Sequence, residues 1–228
     1  MSASFTPENT RIFEDAEAVA QAAAEHVFEK INACVEQKGQ CHVVLPGGTT
    51  PARCLKLLSE KPLPWNDIHW YPGDERSYPV GHAERNDTMI EEKLFSSRPE
   101  AASNFHPIPA ELGPEQGAKD YSELLDAAGS MDIVILGMGE DGHTASLFPS
   151  NDALQNGSSA VPVYNSPKPP DERVSIGLNT LKNSSECIVI ATGAGKRDAL
   201  KRLRQGETFP VGMIEPDIWF VDEDAVRF

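Results

Sequence analysis

Asp141 and His143 stand two residues apart in the glycine-rich stretch MDIVILGMGEDGHTASLFP, Met131 to Pro149. An imidazole beside a carboxylate is the smallest unit that can take a proton from water near neutral pH while held in one orientation. Gly137, Gly139 and Gly142 surround the pair. Glycine has no Cβ, so the chain there can turn with positive φ and pass close to a ligand. The apolar run before them reads as a strand, and in open α/β sheets ligands bind outside the carboxyl ends of strands. A plainer reading competes: the Asp and His could cap the next helix and hydrogen-bond the loop. The other histidines, His26, His42, His69, His82 and His106, lack such company and read as structural or surface residues.

Three more strand-to-loop junctions carry unusual residues. In LPGGTTP, Leu45 to Pro51, the N–H groups of Gly47 and Gly48, the hydroxyls of Thr49 and Thr50, and a helix N-terminus together suit an anion. The segment lacks the P-loop lysine and the G-x-G-x-x-G of dinucleotide folds, so nucleotide binding is not indicated. In GDERS, Asp74, Glu75 and Arg76 follow a strand consecutively. A planar guanidinium is the natural partner of a phosphate, and the two acids could bind sugar hydroxyls or hold the arginine. In TGAGKRDAL, Lys196 sits in the first turn of a helix, where the macrodipole disfavours a cation unless an anion is bound there.

The elements that must position these groups alternate. Apolar residues recur at helical spacing from Asp15 to Lys38, closed by Gly39; helix comes first and strand second. The strand CHVVLP leads to a helix from Pro51 to about Leu58, and the strand DIHWYP to a helix from about Asn86 to Phe95. A short extended piece near Phe105 to Ile108 precedes a helix from Pro114 to about Ala128 and the strand at Met131. Strand signals follow at Ala160 to Tyr164, Arg173 to Leu178 and Glu186 to Gly193, then a helix from Ala194 to about Arg204 and a last strand from Asp217. Strands made of near-continuous Val, Ile and Leu and alternating with helices predict an α/β fold: a Rossmann-like, mostly parallel sheet with helices on both faces. Its strand ends gather all four junctions on one edge.

Composition bounds the partners. The 228 residues fit a single domain spanning 1–228, and no composition break argues for two. A formal net charge of −15 without a basic run argues against nucleic acid or an anionic membrane surface. An anionic ligand would need a few cations gathered locally. Cys34, Cys41, Cys54 and Cys187 show neither C-x-x-C pairing nor a histidine at zinc-like spacing, so they read as small buried hydrophobes; no metal and no cofactor is expected. The N-terminal stretch MSASFTPENTRIFED lacks the features of a secretion signal, and no run approaches a membrane span, so a cytoplasmic setting is expected.

Taken in order, these segments resemble the 6-phosphogluconolactonases over nearly the whole chain. The resemblance rests on LPGGTTP, GDERS followed by Asn86, GMGEDGHTASLFP, RVSIGLNTL, TGAGK and WFVDEDA, with HTASLFP the most specific. It departs at LPGG, where the family more often reads SGG. It implies the Rossmann-like fold shared with glucosamine-6-phosphate deaminases and hydrolysis of a sugar-phosphate lactone without a cofactor. It also implies that His143 acts as general base on water, with Asp141 orienting it. The phosphate would rest on Gly47, Gly48, Thr49 and Thr50 with Arg76 and Lys196, and with Arg173 as a further candidate. Asp74, Glu75, Asn86 and Gly142 complete the expected substrate site. Deaminases of the fold carry FNEP after the histidine and DEY at the second junction; here HTASLFP and DER stand there instead. A non-catalytic sugar-phosphate sensor is the remaining alternative, although such regulators add a DNA-binding segment that this acidic chain lacks. Oligomeric state is left open.

Overall fold

The computed structural model describes residues 5–228; the first four residues of the stretch inspected for a secretion signal lie outside them. Six strands form one parallel sheet: β1 (Thr10–Phe13), β2 (Cys41–Leu45), β3 (Ile68–Pro72), β5 (Ile133–Gly137), β8 (Glu186–Ala191) and β9 (Ile218–Asp222). Their order is β1-β9-β8-β5-β2-β3, so the chain reverses its direction of travel between β2 and β5. A crevice opens at such a switch point, outside the carboxyl ends of the strands. The glycine turns that follow β2 and β5 flank it.

Alternation along each strand builds two cores. Val43, Leu45, Ile133, Ile135, Ile188, Ile190 and Phe220 join one cluster with Val19, Ala23, Val27 and Ile31 of α1 (Ala16–Lys38) and Leu55 and Leu58 of α2 (Thr49–Leu58). Val44, Val134, Leu136, Val189, Trp219 and Val221 join the other, with Tyr121 and Leu125 of α4 (Pro114–Ala128), Leu181 of the short α5 (Leu178–Lys182), and Leu200 and Leu203 of α6 (Arg197–Arg204). A strand buried on both faces has no polar side to show, which is why these segments read as continuous apolar runs. Asp15 caps α1 by accepting the Ala18 N–H, and Gly39 at φ +80° ends it.

The structure departs from expectation in five places. A strand, β1, precedes α1 and pairs in parallel with β9; it is four residues long, half exposed and polar, so it carries no strand pattern. The residues of DER are not a loop but the strand β4 (Asp74–Arg76), which pairs antiparallel with β7 (Arg173–Ile176). Strand β6 (Ala160–Val163) completes that second, three-stranded sheet, so the two later extended runs lie outside the parallel one. The helix expected from Asn86 to Phe95 is α3 (Asn86–Ile90) continued by a wider, π-type turn. Likewise a 3-10 turn from Ala194 to Lys196 precedes α6.

Strand alternation in β4 turns Glu75 away from the face shared by Asp74 and Arg76. Its carboxylate is fully buried and accepts three backbone N–H groups, those of Arg76, Asn86 and Asp87, each at 2.8 Å. Arg85, buried and paired with Asp87 at 2.6 Å, lies 3.9 Å from it. Glu75 thus seats the N-terminus of α3 on β4. Replacing it by alanine would strand three buried donors. Each costs at least about 1 kcal/mol, so Glu75→Ala should lose roughly 3 kcal/mol of stability, read as a fall in Tm of roughly 6–12 °C.

Candidate active site

The turns that follow β2, β3, β5 and β8 line one cavity of about 640 Å³. After β2, Gly48 takes φ +96° and ψ 164°, a region held almost only by glycine, and opens α2 with no side-chain cap. A Cβ on Gly47 would fall 2.5 Å from Asn86 Oδ1, so the amide occupies the space a side chain would need. Asn86 Nδ2 donates to the main-chain oxygen of Asp74 at 2.8 Å and to its carboxylate at 3.0 Å. The other Asp74 oxygen accepts from Ser146 Oγ at 2.5 Å, and Arg173 Nη1 reaches that hydroxyl at 3.5 Å. One hydrogen-bonded line therefore ties β4, α3, β7 and the loop after β5. Thr50 and Thr192 join hydroxyls at 2.7 Å, tying the turn after β2 to that after β8.

Four cations line this cavity in a chain of net charge −15. Arg76 stands directly opposite Arg173 in the β4–β7 register. Arg173 donates to the carbonyls of Lys168 and Pro169 at 2.9 and 3.1 Å, and its guanidinium lies 5.5 Å from the Phe148 ring. Arg76 holds the Glu84 carbonyl at 2.5 Å, while its Nε is buried without a hydrogen-bond partner among the described residues. Lys168 and Lys196 complete the rim. Neither lysine, nor Arg173, has a carboxylate within 4.0 Å among the described residues. Burial pushes Arg173 below its ordinary value, and Arg76 beside it adds to the shift against Asp74. Burial lowers Lys196 too, helped by Lys168 and opposed by Glu140. Cations destabilised in this way are neutralised most directly by an anion.

His143 faces the same cavity. Its Nδ1 meets Asp141 Oδ1 at 2.5 Å, and its backbone N–H donates to the same oxygen at 3.2 Å. Nε2 has no protein partner among the described residues. Burial holds the imidazole below its ordinary pKa even though Asp141 pulls it up. For Asp141 the balance runs the other way: burial raises the carboxyl, but the hydrogen bonds and charge of His143 bring it below its usual value. The consistent picture is a neutral imidazole donating Nδ1–H to a carboxylate, with Nε2 basic toward the cavity. The Phe148 ring, 4.5 Å from that of His143, packs against it as well as under Arg173.

Most expected residues meet here: Gly47, Gly48, Thr49, Thr50, Asp74, Arg76, Asn86, His143, Arg173 and Lys196 all line the cavity. Three do not. Asp141 acts on it only through His143. Glu75 lies beneath the wall. Gly142, at φ +80°, backs onto Phe209, whose Cδ1 would be 2.4 Å from an added Cβ. The sequence reading did not single out Lys168, Glu84, Thr192 or Ser146. Of these, Ser146 lies inside HTASLFP and Thr192 opens TGAGK, whereas Lys168 and Glu84 carry no such signal.

An α/β fold with a cation-lined cavity beside an Asp–His pair at its switch point is the architecture of an enzyme with a small-molecule site. The chain belongs to the family of glucosamine-6-phosphate isomerases and 6-phosphogluconolactonases, whose description matches residues 14–222. A 6-phosphogluconolactonase of Synechocystis is 32% identical over 215 residues, covering 87% of this chain and 89% of that one. That of Rattus norvegicus is 33% identical over 235 residues, covering 95% and 91%. The crystal structure of 6-phosphogluconolactonase from Thermotoga maritima superposes with a TM-score of 0.87 at 28% identity, covering 94% of this chain and 99% of that one.

Gly139 makes the pair separable from the anion pocket. A Cβ there would fall 2.0 Å from His143 Nδ1 and 2.7 Å from Asp141 Oδ1, so the ring must leave its seat. In Gly139→Ala the His143 ring resonances should lose the signature of a carboxylate-bonded Nδ1. Stabilisation of the protein by inorganic phosphate, followed as a thermal shift, should match the wild type.

Proposed function

We propose that this chain hydrolyses 6-phospho-D-glucono-1,5-lactone to 6-phospho-D-gluconate in the oxidative pentose phosphate pathway, as a single catalytic domain working in the cytoplasm. The observation that carries the reading is the Asp141–His143 pair facing a cavity rimmed by Arg76, Arg173, Lys168 and Lys196. Family membership supplies the reaction, and the cavity supplies a base for the water, a proton for the leaving oxygen and cations for the phosphate.

A δ-lactone is an ester. Its hydrolysis requires an activated water, stabilisation of the developing oxyanion, and a proton for the departing ring oxygen. His143 Nε2 takes a proton from water as the oxygen attacks the lactone carbonyl carbon. The tetrahedral intermediate then breaks the bond to the ring oxygen, and the same imidazolium returns the proton to it. Asp141 keeps Nδ1 protonated, so only Nε2 can act as base, and it stabilises the cation between the two transfers. The 6-phosphate rests on the turn from Gly47 to Thr50 with Arg76, Lys196 and Arg173. Asp74 and Asn86 hold that floor in place and present oxygen and amide groups toward sugar hydroxyls. Among the described residues, Asp141 is the only carboxylate bonded to His143, and Thr144 and Ser146 spend their hydroxyls on Gly137 and Asp74. Among the described residues no second acid of the kind a ring-opening deaminase would use hydrogen-bonds the imidazole.

The lactone also hydrolyses unaided, so the assay is loss of 6-phosphogluconolactone above a buffer blank. His143→Ala should return the rate close to the blank; full activity in that variant would remove the imidazole from the mechanism. The base works when deprotonated. Because burial lowers its pKa, the acid limb of kcat/KM should fall below the ordinary histidine value of 6.5. Asp141 raises that pKa, so Asp141→Asn should move the limb to still lower pH while kcat drops by about 10²-fold or more.

A further inference from the structure

Cys34, Cys41 and Asp132 meet at the edge of the sheet opposite the cavity. Cys34 lies in the last turns of α1, Cys41 opens β2, and Asp132 immediately precedes β5. One ligand atom from each lies within 4.8 Å of the other two. Cys41 and Asp132 are buried, and Cys34 is partly exposed, which leaves a way in. The carboxylate is already oriented: Oδ1 is paired with Lys38 Nζ at 2.5 Å, and Oδ2 accepts the His42 N–H at 2.9 Å. Such outer contacts are what fix a metal ligand. The Gln40 carbonyl oxygen, 3.6 Å from Cys34 Sγ, adds a donor in the turn between the two cysteines.

The geometry points to a structural site for a thiophilic divalent cation of the zinc class, held by Cys34, Cys41 and Asp132. Two sulfurs select against magnesium and calcium. A tetrahedral ion with metal–sulfur bonds near 2.3 Å sets its sulfurs about 3.8 Å apart, inside the span these atoms already occupy. The Gln40 oxygen or a water takes the fourth position. Charge balances as well. On binding, each thiol gives up its proton, and two thiolates, one carboxylate, the dication and the Lys38 ammonium sum to zero. The ion would clip the end of α1 to the starts of β2 and β5. It would therefore raise stability and leave the chemistry at the far ends of the same strands unchanged.

The test is titration of the thiol-reduced protein with cadmium, followed by the ultraviolet thiolate-to-cadmium band, and then displacement by zinc. The band should saturate at one equivalent, zinc should remove it, and either metal should raise Tm while lactone hydrolysis stays unchanged. Cys34→Ser, at a partly exposed position the fold tolerates, should abolish both the band and the rise in Tm. Asp132→Asn should weaken binding with the band retained. Absence of the band in the wild type would overturn the site, as would a band that survives in Cys34→Ser. So would zinc binding without a cadmium–thiolate band, which would place the metal on the nearby histidines instead, where His69 Nδ1 lies 3.1 Å from His106 Nε2 and the His42 ring stacks on that of His69 at 5.0 Å.

Discussion

Two guanidinium groups set opposite each other in one strand register govern this structure. Arg76 faces Arg173 across β4 and β7, and like charges placed so are destabilising. The surroundings bear that cost. Carbonyls at Lys168, Pro169 and Glu84 accept from the two side chains, Phe148 lies beneath Arg173, and Ser146 links Arg173 to Asp74. Among the described residues Glu84, 3.8 Å from Arg76, is the one carboxylate that forms an ion pair with either guanidinium, and none reaches Arg173 within 4.0 Å. A site under such strain is complementary to an anion before the anion arrives, and preorganisation of that kind lowers the cost of binding. In a chain whose overall field repels anions, this local concentration of cations, beside the glycine turn after β2, favours holding one.

The same register explains the division of labour among the acids. Asp74 and Arg76 share the cavity face, whereas Glu75 points below and anchors α3. Burial and the charge of Asp87 push the Glu75 carboxyl up to about 7, against the pull of its three N–H donors. The cost of burying it is offset by what it organises, because α3 carries Asn86, and Asn86 fills the space over Gly47. From there the hydrogen-bonded line runs through Asp74 and Ser146 to the loop bearing His143. Phe148 closes the circuit by touching both the imidazole and Arg173. Anion pocket and proton-transfer pair are thus one packed unit, which gives HTASLFP its physical meaning: Thr144, Ser146 and Phe148 each fix a different neighbour.

What was legible in the sequence followed from period and from glycine. Strands buried on both faces announced the parallel sheet, and glycine turns at their ends announced the site. The short strands were hidden for the opposite reason. β1 and β4 hold four and three residues, too few for a pattern, and β4 is made of charges that read as a solvated turn. With β4 unseen, its alternation was unseen, so Glu75 was placed beside Asp74 in the site. Lys168 gave no signal because a proline-rich loop brings it to the rim from far along the chain. Cys34 and Cys41, seven apart, match no ligand spacing; only the turn from α1 into β2 and the start of β5 bring them to Asp132.

The central claim is that one cavity binds a phosphate with Arg76 and Arg173 and opens a lactone with His143. It is tested most directly by comparing kcat/KM on 6-phosphogluconolactone and on unphosphorylated gluconolactone in wild type, Arg76→Ala and Arg173→Ala. Each substitution should lower the value for the phosphorylated lactone by roughly 10–100-fold, the worth of a charge-assisted contact, and leave the unphosphorylated lactone near its wild-type rate. Equal losses on both substrates would contradict the account.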